Sequence, residues 1–477
     1  MIFTSYTYVS FLLVGVILHW SFPPRLRNAL LIVLSYGFYC SWRWQFGFLL
    51  LGVSIFTWVF GAWLARREGS RPLLAIGVAV ELAPLAYYKY SGFLVGNVNA
   101  LASGLGWTSH LPAPDVILPL GISFFTFQGI AYLVDVANGE APIARADHFL
   151  LYKAFWPQLI AGPIIRPHEI REQIASERHI EYADVSEGVK RILQGFFKKG
   201  VLADTLAPYV DAVFQSTARP GALDALVGIL AFSMQIYFDF AGYSDIAIGS
   251  ARLLGFRFPE NFDYPYAARS PQEFWSRWHM TLTRWIRDYV FTPLAFASRR
   301  QPRLALVWLV AAMALCGLWH GGRWTFVLWG IWHGALLLAN QTVLRRLWSG
   351  FDKGPARRSW LAQGAGWLTT MLGVTLGWVL FRSQSVAQAV SLITTIVTLR
   401  GGLRPMVLRE NGVLVVAAFF CGLLALQALR GPGGRMMSWL ATYRLGYSTV
   451  KAVAYAALVL AVVVFESDVK AFVYFQF

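Results

Sequence analysis

Leu304-Ala305-Leu306-Val307-Trp308-Leu309-Val310-Ala311-Ala312-Met313-Ala314-Leu315-Cys316-Gly317-Leu318-Trp319-His320-Gly321 is an apolar run of near-bilayer length that closes on a histidine. An ionisable side chain is costly to hold at that depth, and a weak base titrating near neutrality is suited to moving protons there. His320 is therefore the first candidate for chemistry. A buried neutral histidine that only bonds a backbone carbonyl is the competing reading.

The rest of the 477-residue chain has the same character. It is 57% hydrophobic and only 14% charged, with a mean hydropathy of +0.51, outside the range of water-soluble domains. Apolar segments recur from end to end, so the chain reads as one domain over 1–477: an all-α polytopic membrane protein. Spans are expected at about 5–21, 28–41, 46–65, 72–90, 304–319, 324–342, 360–381, 412–429 and 448–465. With the polar-dotted segments below, about ten to twelve transmembrane helices result, accompanied by re-entrant and interfacial helices. The uncharged start runs into Pro23-Pro24-Arg25-Leu26-Arg27 without a small-residue cleavage site, so the first span is expected to remain as a helix.

The formal net charge of +16 is spread over short loops and helix ends, which excludes a nucleic-acid face and fits membrane topology. Arg25, Arg27, Arg66, Arg67 and Arg71 place the loops after the first and third spans in the cytoplasm, facing anionic lipid, with the N-terminus outside. Cys40, Cys316 and Cys421 lie singly in apolar runs, which indicates neither disulfides nor a zinc site. No His/Asp/Glu cluster has metal-ligand spacing, and no serine-hydrolase elbow, Walker loop or dinucleotide fingerprint is present.

Other segments break the apolar pattern. Residues 91–116, rich in Gly, Asn and Ser and ending in Pro112 and Pro114, read as an outer loop. Segments 117–136 and 150–165 are interrupted by Pro and Gly and dotted with polar residues, a pattern tolerated where backbone is packed in protein or lines a wet cavity. Residues 166–200 read as interfacial helices and loops. The stretch from 221 to 254 carries Gln235, Asp239, Ser244 and Asp245; its two aspartates do not share a helical face cleanly, and they are expected to anchor Arg or Tyr partners or to orient a histidine. Phe274–Phe296 is too charged to span and is expected to lie in the interface or dip inward, its arginines at 277, 284 and 287 on one side. His279 lies within it, and snorkelling of that basic side to headgroups is the plain alternative to a functional role. His333, in Gly330-Ile331-Trp332-His333-Gly334, repeats the His-Gly pairing of His320.

The set Phe274-Trp275-Ser276-Arg277-Trp278-His279, Arg287-Asp288-Tyr289 and Gly317-Leu318-Trp319-His320-Gly321 resembles the membrane-bound O-acyltransferase family. Residues 235–249, Ala161-Gly162-Pro163-Ile164 and the aromatic end at 472–477 are similar to its bacterial branch, which serves alginate O-acetylation and teichoic acid D-alanylation. The resemblance implies helices around a central tunnel and acyl transfer from a thioester to a hydroxyl. It further implies that His320 is the invariant catalytic histidine and His279 the second conserved polar position. His333, Arg277, Trp278, Trp319, Asp239, Asp245 and Gln235 are the residues expected to position substrate or support the base.

No permanently bound cofactor is expected. The resemblance implies acetyl-coenzyme A or an acyl-carrier-protein thioester as the donor. It implies as the acceptor a polysaccharide or other envelope polymer outside the bacterial inner membrane, reached directly or through an accessory acyltransferase protein. A transporter or export component whose polar residues line a permeation path, and an acyltransferase acting on lipid, are the alternatives.

Overall fold

The computed structural model describes residues 3–216, 219–344, 356–402, 404–408, 410–428 and 444–464. Among them there is no β-strand. Helices run α1 Tyr6–Ser21, α2 Pro24–Cys40, α3 Gln45–Arg66, α4 Arg71–Leu85, α5 Ser91–Gly104, α6 Ile122–Ala137, α7 Ala146–Ala154, α8 Trp156–Leu159, α9 Pro167–Ala175, α10 Tyr182–Phe196 and α11 Asp204–Phe214. They continue as α12 Ala222–Leu253, α13 Pro271–Arg277, α14 Met280–Ile286, α15 Thr292–Ala297, α16 Pro302–His320, α17 Trp324–Ala339, α18 Ala356–Arg382, α19 Val386–Val397, α20 Glu410–Ala428 and α21 Arg444–Val464. Stretches Gln45–Arg66, Arg71–Gly104, Ala222–Leu253, Arg303–His320 and Leu361–Arg382 are long and apolar enough to cross a bilayer, and shorter apolar helices accompany them. The chain is an all-α polytopic membrane protein.

Most expected elements form within a few residues of where the sequence places them, with two corrections. The outer loop expected from residue 91 begins later, because α4 continues through a π-turn at Ala86–Tyr90 into α5. Its polar residues feed the helix's own carbonyls: Ser91 Oγ donates to Tyr87 O and Asn97 Nδ2 to Phe93 O. That hides them from lipid and lets a Gly/Asn/Ser-rich stretch stay helical. Chain without regular secondary structure then carries Pro112 and Pro114. The second correction is α19, which was not expected; Ser385 caps it by accepting from Gln388 N, and Gln388 Oε1 accepts from Gln384 N. This Ser-x-x-Gln signature was present in the sequence. The aromatic end at 472–477 lies outside the described residues.

The chain divides into two compact units. The first holds residues 1–192 and 243–260. Here α3, α4, α6 and α7 pack together, and Lys153 and Glu81 form a buried ion pair at 3.4 Å. Thr57 donates to Glu81 and accepts from Lys153 at 3.2 Å, so each buried group meets its opposite partner and a hydroxyl. Arg191 gathers Glu187, Glu260 and Asp245, the last at 2.6 Å.

The second unit holds the described residues of 193–242 and of 261–464. Its frame is the α16, α17 and α18 cluster against α13. Glycines set the closeness of α16 and α17: a Cβ on Gly317 would lie 2.1 Å from the Phe326 carbonyl oxygen, and one on Gly330 would lie 2.1 Å from the Met313 carbonyl oxygen. Both glycines belong to a Gly-x-x-x-Gly repeat, Gly317/Gly321 and Gly330/Gly334, the small-residue spacing that lets membrane helices approach backbone to backbone. The histidines at 320 and 333 are the penultimate residues of those two repeats.

Candidate active site

His320 is the last residue of α16, where the helix stops because Gly321 turns the backbone extended. The ring is buried and walled by Trp319 at 4.9 Å, Trp329 at 5.1 Å and Phe381 of α18 at 5.1 Å. Trp329 stands at a right angle to it and also touches His333, 4.9 Å away on the next turn of α17. His333 is stacked with Phe274 at 6.2 Å and edged by Trp275 at 5.2 Å, so α13 is joined to α17 through it. Its Nε2 is buried and finds no hydrogen-bond partner among the described residues.

His279 occupies the turn between α13 and α14, and its φ of +41° is a left-handed conformation that a non-glycine residue seldom adopts. Such backbone costs on the order of 1–3 kcal/mol and persists only where the surroundings enforce it. Here the Met280 amide donates to Asn261 O at 2.9 Å, the Trp278 amide to Phe274 O at 2.8 Å and the Thr283 amide to His279 O at 3.0 Å. The imidazole is fully buried against Phe240 at 4.6 Å and reaches Trp319 at 6.0 Å. A continuous aromatic path therefore joins the three histidines: His279, Trp319, His320, Trp329, His333.

Asn261 fixes which nitrogen of His279 carries the proton. Its Oδ1 lies 3.0 Å from His279 Nδ1, and it also accepts from the Thr281 hydroxyl at 2.9 Å and, at 3.4 Å, from the Thr281 amide. A backbone amide can only donate, so the shared atom is an acceptor and the neutral ring must present Nδ1–H to it. The lone pair is left on Nε2, which is buried and has no hydrogen-bond partner among the described residues. That atom can accept a proton or a hydrogen bond from a hydroxyl brought beside it.

The other expected residues fall into distinct places. Trp278 is buried in the same aromatic mass, stacked on Phe274 at 5.6 Å and tilted against Trp378 at 4.9 Å. Arg277 points elsewhere: its guanidinium bonds Glu273 at 2.7 Å and the Asp263 carbonyl at 3.3 Å, and its own carbonyl accepts from Asp263 N. It therefore staples the Asn261 loop to α13. Gln235 and Asp239 are buried on α12, and Asp239 pairs with Lys199 at 2.7 Å, which also holds Asp204 at 2.7 Å. Asp245 belongs to the other compact unit, bonded to Arg191. Asp245 thus has the arginine partner expected of it, whereas Asp239 pairs with a lysine instead of an arginine or tyrosine.

Sequence reasoning missed Asn261, Thr281, Lys199 and the α18 pair Trp378 and Phe381. For Thr281, two residues after His279, a local signal existed. For Asn261 there was none, since it lies in a loop far from His279 in sequence and meets it only on folding.

A sequence profile of the MBOAT, membrane-bound O-acyltransferase, family matches residues 145–381, a range that contains all three histidines. The chain is 39% identical over 374 residues to the probable alginate O-acetylase AlgI of Azotobacter vinelandii, covering 77% of this chain and 72% of that protein. It is 31% identical over 430 residues to the peptidoglycan O-acetyltransferase of Helicobacter pylori, covering 82% and 79%. To the teichoic acid D-alanyltransferase of Bacillus subtilis it is 29% identical over 279 residues, covering 56% and 67%. With a helical membrane fold around buried histidines and relatives that transfer acyl groups, the chain is a membrane acyltransferase and belongs to the membrane-bound O-acyltransferase family.

Proposed function

We propose that this chain transfers an acyl group, in the first instance acetyl, from a cytoplasmic thioester to a hydroxyl of an extracytoplasmic envelope polymer. The observation carrying this reading is the buried His320, clamped by glycine-packed helices and joined through Trp319 to a histidine whose Nε2 lone pair is open. A thioester is already activated, so the remaining tasks are to align the hydroxyl with the carbonyl carbon and to take its proton. His320 acts as the base. The hydroxyl oxygen bonds to the carbonyl carbon as its proton passes to the imidazole, the carbon–sulfur bond breaks, and the imidazolium returns the proton to the departing thiolate. His279, its Nδ1–H tied to Asn261, holds the acceptor hydroxyl through Nε2.

The donor is acetyl-coenzyme A or a carrier-protein thioester, arriving through a tunnel from the cytoplasmic side of the bacterial inner membrane. The acceptor is a polysaccharide or peptidoglycan-like polymer, as the names of the relatives suggest, or the hydroxyl of an accessory protein that relays the group. His320→Ala is expected to lower ester formation and coupled thiol release by at least about 100-fold, the usual contribution of a positioned base. Its detergent melting temperature should stay near that of the unaltered chain. Wild-type turnover by the purified variant overturns the role.

A further inference from the structure

A second polar feature lies wholly within the first unit, away from the histidines in sequence. A cavity of about 210 Å³ opens between the start of α2, the start of α7 and the loop after α9, lined by Arg25, Arg27, Arg145, His148 and Arg178 with Glu177 as the acidic member of the wall. Arg145 is neutralised locally, since Asp147 takes its guanidinium through two bonds of 3.0 and 2.8 Å. Arg25, Arg27 and Arg178 have no carboxylate at ion-pair distance among the described residues. Three guanidiniums thus face one acidic side chain.

Two of these guanidiniums, those of Arg27 and Arg178, are held in place by neutral groups. Arg178, 8% exposed, donates from Nη1 to Gln173 O and from Nη2 to Asn28 Oδ1, each at 2.7 Å, and lies over the Phe256 ring at 4.3 Å. Arg27 donates to Arg178 O at 2.9 Å and to Phe22 O at 3.1 Å, and covers Trp20. The Nε–H of Arg178 is buried with no hydrogen-bond partner among the described residues. Burial, and then the neighbouring Arg27 charge, push the Arg178 guanidinium down to about 10. Carbonyls and rings orient a guanidinium without cancelling its charge, so this is a cationic wall, oriented at Arg27 and Arg178, whose charge no carboxylate among the described residues pairs.

The geometry points to a phosphate-binding cleft on the Arg25/Arg27/Arg178 wall, taking the phosphate esters of a nucleotide or of an anionic lipid headgroup. Planar guanidiniums match phosphate oxygens in pairs, and the start of α2 bearing Arg25 and Arg27 is the end that the charge pattern places in the cytoplasm. Both sources are present there. The nucleotide source rests on the thioester donor proposed above; the lipid source does not.

Binding of coenzyme A and ADP to the full-length protein in neutral detergent, and retention of phosphatidylglycerol against phosphatidylcholine by native mass spectrometry from nanodiscs, separate the two. Arg25→Gln, at an exposed position, and Arg27→Gln are each expected to weaken retention of the true ligand about tenfold, with steep loss in raised salt. Nucleotide binding that responds to both substitutions assigns the cleft to the donor; a response confined to phosphatidylglycerol assigns it to lipid. Binding of neither, or binding indifferent to both arginines, overturns the cleft. Repeating the measurement on His320→Ala keeps its outcome separate from that of the acyl-transfer reading, because no turnover is needed.

Discussion

Asn261 Oδ1 accepts from His279 Nδ1–H and from the Thr281 hydroxyl, so one amide oxygen sets both a tautomer and the start of α14. Removing it strands two buried donors, a loss of about 1–3 kcal/mol in stability for each group left unsatisfied. Asn261→Ala should therefore lower the melting temperature and free the ring of His279 to exchange tautomers. Nitrogen-15 chemical shifts of the histidine side chains in the purified protein check this, and a resonance still fixed as Nδ1–H in the variant contradicts the assignment. Arg277 shows the reverse case. It sits in the motif that carries the family resemblance, two positions from His279, yet its guanidinium is bound by Glu273 and the Asp263 carbonyl. Proximity in sequence brought it into the candidate list, and direction on the helix removed it from the histidine cluster.

At the level of elements, the packing of α16 on α17 decides where His320 and His333 stand. A methyl group at Gly330 has no room, since the Met313 carbonyl oxygen is already there, whereas one at Gly96 on α5 meets nothing within 4 Å. Gly330→Ala is expected to force the helices apart at a cost of about 1–3 kcal/mol and to lower activity with it. Gly96→Ala should be neutral or stabilising by up to about 1 kcal/mol, from helix propensity alone. Thermal unfolding of both variants in one detergent tests the contrast, and equal melting temperatures would refute it. The same comparison shows what the sequence could tell about elements. Apolar run length placed α1, α3, α16 and α17 closely, because bilayer thickness dictates that length. It failed at α5, where Ser91 and Asn97 bond carbonyls one turn back along the helix, a choice made by local geometry that composition does not reveal.

Across the whole molecule, orientation is the property the arginines control. With Arg66 and Arg67 inside, a single cysteine replacing Arg67 in a background without Cys40, Cys316 and Cys421 should react with an impermeant maleimide only after spheroplasts are opened. A cysteine replacing Ser109 should react without opening, and the opposite pattern would invert the topology. The class of molecule and the candidate histidines followed from the sequence alone, because water and lipid impose hydropathy, length and rarity of charge on every segment locally. What the tertiary structure decided is which side chains meet. It brought Asn261 to His279, Phe381 to His320 and Lys199 to Asp239, and it gathered Arg25, Arg27 and Arg178 into one cleft. Those meetings depend on helix rotation and on backbone approach at glycines, and no periodicity within a single segment encodes the partner on another.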